Sequence, residues 1–203
     1  MKNNKKNQLS PLAIAVLALL AEEPMHPYRM QALIKERGKD DVINVRQRTN
    51  IYQTIDRLLR DGYIAVSETL REEGRPDRTV YAITALGRKG LKGRILEILS
   101  TPTQEFPEFP AAVSFLALLT VEEVQQQLEK REAALFEQLN DMDAKLQTYK
   151  DTVPRLFMLE VEYQRTVLFA ELEWVRSVAK DIRMGSLVWD GDWLRDIETK
   201  DEG

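Results

Sequence analysis

Cysteine is missing from all 203 residues, which excludes disulfides, thiolate metal sites and cysteine nucleophiles. Histidine occurs once, at His26, so a histidine-rich metal site or a two-histidine relay is excluded as well. There is no glycine-rich phosphate loop and no Ser/His/Asp grouping, and the abundant carboxylates of the C-terminal half fall at solvated helix positions. No catalytic residue, metal site or cofactor is therefore expected. Long apolar runs are lacking too. The longest, Leu12 to Ala21, is about half of the roughly 20 residues needed to span a bilayer. Lys2, Lys5 and Lys6 ahead of that run have the outline of a signal peptide, but Glu22-Glu23-Pro24 stands where small cleavage-site residues would be. The expectation is a cytoplasmic protein without a membrane partner.

The overall charge of −4 conceals an asymmetry. Residues 1–99 hold eighteen Lys and Arg against twelve Asp and Glu, a net +6. The remainder holds eleven against twenty-one, a net −10. A basic half joined to an acidic half implies two modules with different partners, and only the first should approach phosphates.

Local signals divide the chain further. After a polar, basic arm, Ser10 reads as an N-cap with Pro11 at the first helical position, and Leu12, Val16, Leu19 and Leu20 give that helix its buried stripe. Two prolines then break the pattern. A second helix is expected from about Tyr28 to Arg37, with Met30, Leu33 and Ile34 inward and a turn at Gly38 to Asp41. Residues 42–45 read as a short strand or an extended lead-in. A third helix starts near Thr49, and Thr84 caps a fourth that runs to about Leu99.

The linker spans residues 100–110, where Pro102, Pro107 and Pro110 stop helix propagation. Everything beyond it reads helical. Residues 111–119 form a short apolar helix, and Thr120 with Glu123 matches a capping box. Val121, Leu128, Leu135, Met142 and Tyr149 then recur every seven residues, as in a coiled coil, with Arg131 interrupting the second seam. A last long helix to about Met184 has Leu156, Leu159, Tyr163, Leu168, Leu172, Val175 and Ile182 as its stripe. A second copy of the chain is the simplest partner for such seams, which makes Val121, Leu128, Leu135, Met142, Tyr149, Leu168 and Leu172 the candidate dimerisation residues. Residues 185–203 form an acidic tail with Trp189 and Trp193.

The run from Arg46 to Ile83 carries the functional signal. Ile51, Ile55, Leu58 and Leu59 would bury one face of the third helix. Thr49, Asn50, Gln53, Arg57 and Arg60 remain on the other, with the side-chain types that bond base edges and phosphates. Tyr52 is ambiguous, able to pack its ring in the core while its hydroxyl reaches a phosphate, and Asp56 is expected to pair with Arg57 or Arg60. Gly62 ends the helix, and strands at Tyr63–Val66 and Thr79–Ile83 flank a tip carrying Arg71, Arg75 and Arg78, diluted by Glu72, Glu73 and Asp77. A helix followed by a basic-tipped hairpin is the layout of a winged helix-turn-helix. A solvated polar face is the plainer reading of the helix, and the arginines gathered around Thr49, Asn50 and Gln53 favour DNA over it.

Leu12 to Ala21, Pro24-Met-His-Pro-Tyr28, Thr49-Asn-Ile-Tyr52, Leu58 to Ile64 and Gly74 to Thr84 together resemble the PadR family of bacterial transcriptional regulators over residues 9–99. Pro27 stands where the family commonly has glycine. Residues 111–184 are more loosely similar to the helical dimerisation domain of its longer members. The resemblance implies a mainly α, winged helix-turn-helix homodimer in a bacterial cytoplasm. It implies a repressor that reads a pseudo-palindromic double-stranded operator and releases it when a small hydrophobic or aromatic effector binds. Thr49, Asn50, Tyr52 and Gln53 match the family's DNA-reading helix, and Arg75 and Arg78 its wing. The candidate DNA-binding set is completed by Arg46, Arg48 and Arg57. For the effector, Tyr163, Phe169 and Trp174 are the candidate aromatic lining, although tryptophan more often marks plain packing. The rival reading is a non-enzymatic assembly module that uses the winged helix and the long helices for protein contacts. A ligand carrier or metal sensor is a third, its metal version opposed by the single histidine.

Overall fold

The structure is a computed structural model that describes residues 9–39, 43, 48–70 and 78–190; for Arg48, Thr49 and Leu70 it describes the backbone alone. The chain divides into two compact units, Met1–Gln104 and Glu105–Gly203. The expected strand or lead-in at 42–45 and the tip arginines Arg71 and Arg75 lie outside the described residues.

Helix α1 (Pro11–Glu22) forms the centre of the first unit. Ser10 Oγ accepts from the Ala13 N–H at 3.2 Å, and Pro11 occupies the first turn, where its missing N–H costs nothing. Leu12, Ala13, Ala15, Val16, Leu17, Leu19 and Leu20 are all buried, so this helix is covered on most sides rather than along a single stripe. Helix α2 (Pro27–Glu36) buries Met30, Leu33 and Ile34 as expected. Its N-cap is His26, whose Nδ1 accepts from the Arg29 N–H at 3.1 Å. Pro27, the departure from the family pattern, sits at the first helical position and so starts this helix cleanly. The turn that follows uses Gly38 at φ +61°.

Helix α3 (Arg48–Arg60) ends in a Schellman motif. Gly62 adopts φ +74°, its N–H bonds the Leu59 carbonyl at 3.1 Å, and the Tyr63 N–H bonds the Leu58 carbonyl at 2.9 Å. Strand β1 (Ile64–Leu70) starts there, longer than expected, and pairs antiparallel with β2 (Arg78–Ile83) from Ile64↔Ile83 to Leu70↔Arg78, with a bulge between Val66 and Glu68. A bridge from Met25 to Tyr81, with both backbone bonds at 3.1 Å, ties the hairpin to the α1–α2 connection.

Helix α4 (Ala85–Ser100) is capped by Thr84, whose Oγ1 accepts from the Gly87 N–H at 3.0 Å and donates to the Gly62 carbonyl at 2.7 Å. Gly87 is needed for contact: a Cβ there would lie 2.1 Å from the Tyr63 carbonyl oxygen.

The division between the two units, after Gln104, falls within residues 100–110. Helix α4 reaches Ser100, and α5 (Glu108–Val113) begins before Pro110, a first-turn position that tolerates proline. The expected helix over 111–119 is thus shifted, with its second half a 3₁₀ turn at Leu116–Leu118. Helix α6 (Val121–Tyr149) begins in the expected capping box, with Glu123 N–H to Thr120 Oγ1 at 3.1 Å and Thr120 N–H to Glu123 Oε2 at 2.8 Å. Helix α7 (Leu159–Arg183) runs back antiparallel to it, since Glu129, Glu132 and Asp143 meet Arg183, Arg176 and Arg165 in turn.

Between these helices Val124, Leu128, Leu135 and Leu139 pack with Leu172, Val175, Ala179 and Ile182. Leu156, Leu159 and Tyr163, expected in the α7 stripe, stand exposed instead. Their spacing continues through Val167 and Trp174 along the opposite side of the helix. Trp189 packs on the same cluster and donates its indole N–H to the Leu119 carbonyl at 2.8 Å; Trp193 lies outside the described residues. Among the described residues no helix is long and apolar enough to cross a membrane.

Two outcomes are expected. Gly87→Ala should lower unfolding stability by about 1–3 kcal/mol, because the clash is with backbone and cannot be relieved by rotamer change; a melt matching the parent would refute this packing. The second concerns pH. Hydrogen bonds from Arg37, Arg165 and Arg155 hold the carboxyls of Glu22, Asp143 and Glu162 below their ordinary range. A carboxyl depressed in the fold contributes stability that is present above its unfolded pKa of about 4 and is lost as pH falls through the folded value. The melting temperature should therefore be flat from neutrality to about pH 5 and fall below it, less steeply in Asp143→Asn.

Candidate nucleic-acid interface

Helix α3 is split lengthwise. Ile51, Ile55 and Leu58 are 1%, 1% and 2% exposed and join the α1 core. Thr54 is buried among them, its hydroxyl satisfied by the Asn50 carbonyl at 2.7 Å. Leu59, expected on this face, is 37% exposed: one residue past Leu58 it is rotated by about 100°, which carries it to the margin of the buried stripe.

The outward face carries Tyr52, Gln53, Asp56, Arg57 and Arg60, all exposed, with Asn50 half-buried at its edge. Tyr52 is thereby placed: its ring is half exposed rather than in the core. Arg60 pairs with its neighbour Asp61 at 2.9 Å rather than with Asp56, and that contact raises its pKa. Arg48 and Thr49 open the helix; their side chains, like all of Arg46 and Arg75, lie outside the described residues. Arg78 is exposed at the start of β2.

The hairpin is anchored to the same core as this helix. Tyr81, on β2, has its hydroxyl pKa raised first by burial and then by the negative charge of Asp56, with a hydrogen bond to Thr79 acting the other way. The wing strand and the exposed side of α3 thus share one electrostatic neighbourhood. Sequence reading did not single out Tyr81; its place opposite Val66 in the strand alternation was the available signal. Tyr28, at the start of α2, is 65% exposed and stacks beside His26 with ring centroids 6.3 Å apart. The arrangement offers amide, phenol and guanidinium groups on one surface, which suits hydrogen bonding to base edges and phosphates.

The other candidate residues are distributed differently. Of the seven expected dimerisation positions, Leu128, Leu135 and Leu172 are buried inside the α6–α7 hairpin, Val121, Met142 and Leu168 are half-buried, and Tyr149 is exposed. The effector candidates Tyr163, Phe169 and Trp174 are all exposed on α7. Tyr163 and Trp174 lie on one side but roughly 16 Å apart along the axis, and Phe169 points about 120° away from Tyr163 and more from Trp174. One chain does not gather them into one pocket. A shallow cleft of about 250 Å³ lies elsewhere, among Glu129, Glu132, Ala133, Phe136 and Arg176. Among the described residues no group of three or more His, Asp or Glu is placed to hold a metal ion.

Residues 16–93 match the model of the transcriptional regulator PadR-like family. Among solved structures the chain is similar to Bacillus subtilis PadR in complex with operator DNA, with TM-score 0.69 and 17% identity over 85% of this chain and 99% of that one. It is similar also to Bacillus subtilis PadR in complex with p-coumaric acid, with TM-score 0.68 and 18% identity over 85% and 98%. The PadR-like regulator BC1756 from Bacillus cereus aligns with TM-score 0.56 and 14% identity over 86% and 99%. At these identities the likeness to the solved structures is one of fold. No curated protein matches the sequence.

If α3 reads DNA, removing its outward groups should act in two distinguishable ways. Gln53→Ala should cost about 1–3 kcal/mol on a preferred site and relax discrimination there. Arg57→Ala should weaken binding to all sequences and reduce the salt slope by about one unit, with oligomeric state unchanged. Electrophoretic titration across a salt series reads both; unaltered affinity in both variants would exclude this face.

Proposed function

We propose, from the match of residues 16–93 to the PadR-like transcriptional-regulator family, that this chain is a sequence-specific DNA-binding regulator. In this reading it acts as a homodimer, and a small aromatic or hydrophobic effector releases it from its operator. The observation that carries the proposal is the outward face of α3, with Tyr52, Gln53, Arg57 and Arg60 exposed beside a hairpin anchored to the same core. Operator DNA and p-coumaric acid are bound by the Bacillus subtilis PadR structures of similar fold, which supports the same partner classes here.

In this reading the N-terminal end of α3, from Arg48 through Thr49 and Asn50 to Gln53, enters the major groove. Arg46 and the wing arginines Arg75 and Arg78 hold the flanking phosphates. Two copies would present their α3 helices roughly 34–36 Å apart, one helical turn, and so select a pseudo-palindromic site. A second copy would meet the exposed apolar groups of the C-terminal unit, Tyr149 included, while Leu128, Leu135 and Leu172 serve inside each chain. An effector that prefers one dimer geometry lowers DNA affinity by its differential affinity for the two.

A protein-assembly module is the rival, favoured by the exposed Asp56 in the middle of the α3 face and by the acidic C-terminal half. A titration against promoter fragments, beginning upstream of the chain's own gene, separates the two. Specific binding should exceed non-specific binding by about 10³-fold or more at moderate salt, with protection over two half-sites. Weak binding that is indifferent to sequence would overturn the DNA reading.

A further inference from the structure

Helix α5 delivers one aromatic ring to the C-terminal unit. Phe109 is half-buried against the α6–α7 cluster. The guanidinium of Arg131 lies over one face of the ring, its Cζ 3.5 Å from the centroid. Trp174 meets the ring edge-on, with centroids 5.8 Å apart and planes at 83°. Arg131 is itself aimed from α7, through Nε to Glu171 at 2.7 Å. Phe109 thus fills a slot whose walls are a cation and an indole.

Beyond that packing, the segment that carries the ring is weakly anchored. Helix α5 is six residues long, has no side-chain cap and buries none of its residues fully. A helix of this length contributes little stability of its own. Exposed residues 101–108 lead into it. Local opening of such a segment is cheap.

We propose that Phe109 is the internal occupant of an aryl-carboxylate site, and that an aromatic carboxylic acid binds by displacing it. The ligand ring takes the place of Phe109 against Trp174, and its carboxylate bonds Arg131. A guanidinium has five N–H donors, so Arg131 can hold Glu171 and a ligand carboxylate at once, and the second bond is charge-assisted. The acid has what the phenyl ring lacks, an anion, and that difference lets it compete. The proposal rests on the aromatic-effector reading above and adds its place, its key and its output: when Phe109 leaves, α5 is freed from the hairpin and the tether between α4 and α6 lengthens. Because Phe109 is a tethered competitor, the apparent affinity for the acid is reduced by the fraction of time the slot stands open.

Titration calorimetry of the full chain with 3-phenylpropanoate tests this. Phe109→Ala should bind it about tenfold more tightly than the parent. Adding Arg131→Gln should abolish the gain, and the neutral 3-phenylpropan-1-ol should bind Phe109→Ala more weakly than the acid. Equal affinities for parent and Phe109→Ala would overturn the proposal, as would a gain that survives Arg131→Gln. Should Phe109→Ala lose helical content by circular dichroism, Phe109→Leu keeps α5 apolar and carries the same expectation. Operator release is measured in parallel. Release by the acid at one concentration in parent and Phe109→Ala sinks the internal occupant while sparing the effector reading. A tighter Phe109→Ala with operator affinity untouched keeps the site and sinks the effector reading.

Discussion

Ile51, Ile55 and Leu58 press α3 into the α1 core, each contributing about 1.5–3 kcal/mol by leaving water. Their burial does more than hold the helix. At 100° per residue, fixing three positions along one line fixes the direction of every other side chain on α3. Tyr52, Gln53, Arg57 and Arg60 therefore point outward together, and no local contact of their own is needed to aim them. Thr54 shows how strict the constraint is. A polar residue is accepted in the buried line only because its hydroxyl turns back to the Asn50 carbonyl.

The C-terminal unit is held by a different mixture. Its apolar line is continuous between α6 and α7, but the flanks are laced by Arg131–Glu171, Arg165–Asp143, Arg176–Glu132 and Arg183–Glu129. Exposed ion pairs add little energy singly, yet their alternation specifies the register of two antiparallel helices. Arg131, Arg165, Arg176 and Arg183 are engaged within the acidic half, as Arg29, Arg37, Arg60 and Arg94 are within the basic half, whereas Arg57 and Arg78 face outward.

What the sequence made legible follows from how local each signal is. Ser10, Thr84 and the Thr120–Glu123 box act within three or four residues, and all three cap helices as expected. The buried face of α3 was readable because 3.6-residue periodicity needs no partner, and only the marginal Leu59 was misplaced. The α7 stripe was misread at Leu156, Leu159 and Tyr163 because an apolar residue carries no mark of which neighbour covers it. For the same reason the seven-residue repeat of α6 could be recognised as a seam, but not that α7 of the same chain would fill it. The Phe109 slot was out of reach altogether: Phe109, Arg131 and Trp174 come from three elements and only tertiary contact unites them. Proline-rich stretches announce where a helix stops but not where the next begins, hence the early start of α5.

Thr84 gathers three chain segments at one oxygen, since Gly62 closes α3, Tyr63 leads into β1 and Gly87 opens α4. The β1–β2 ribbon is therefore clamped at one end, where Ile64 faces Ile83 and Met25 grips Tyr81, while its other end carries no such clamp among the described residues. Mechanically it is a cantilever. The bulge between Val66 and Glu68 falls just beyond the clamp, and a bulge adds bend and twist to a strand. The direction of the outer ribbon is thus set at the bulge, outside the packed core. A change of one residue there would swing the far end through an arc while leaving the body of the domain unmoved. The aim of the ribbon and the stability of the domain are therefore set by different residues.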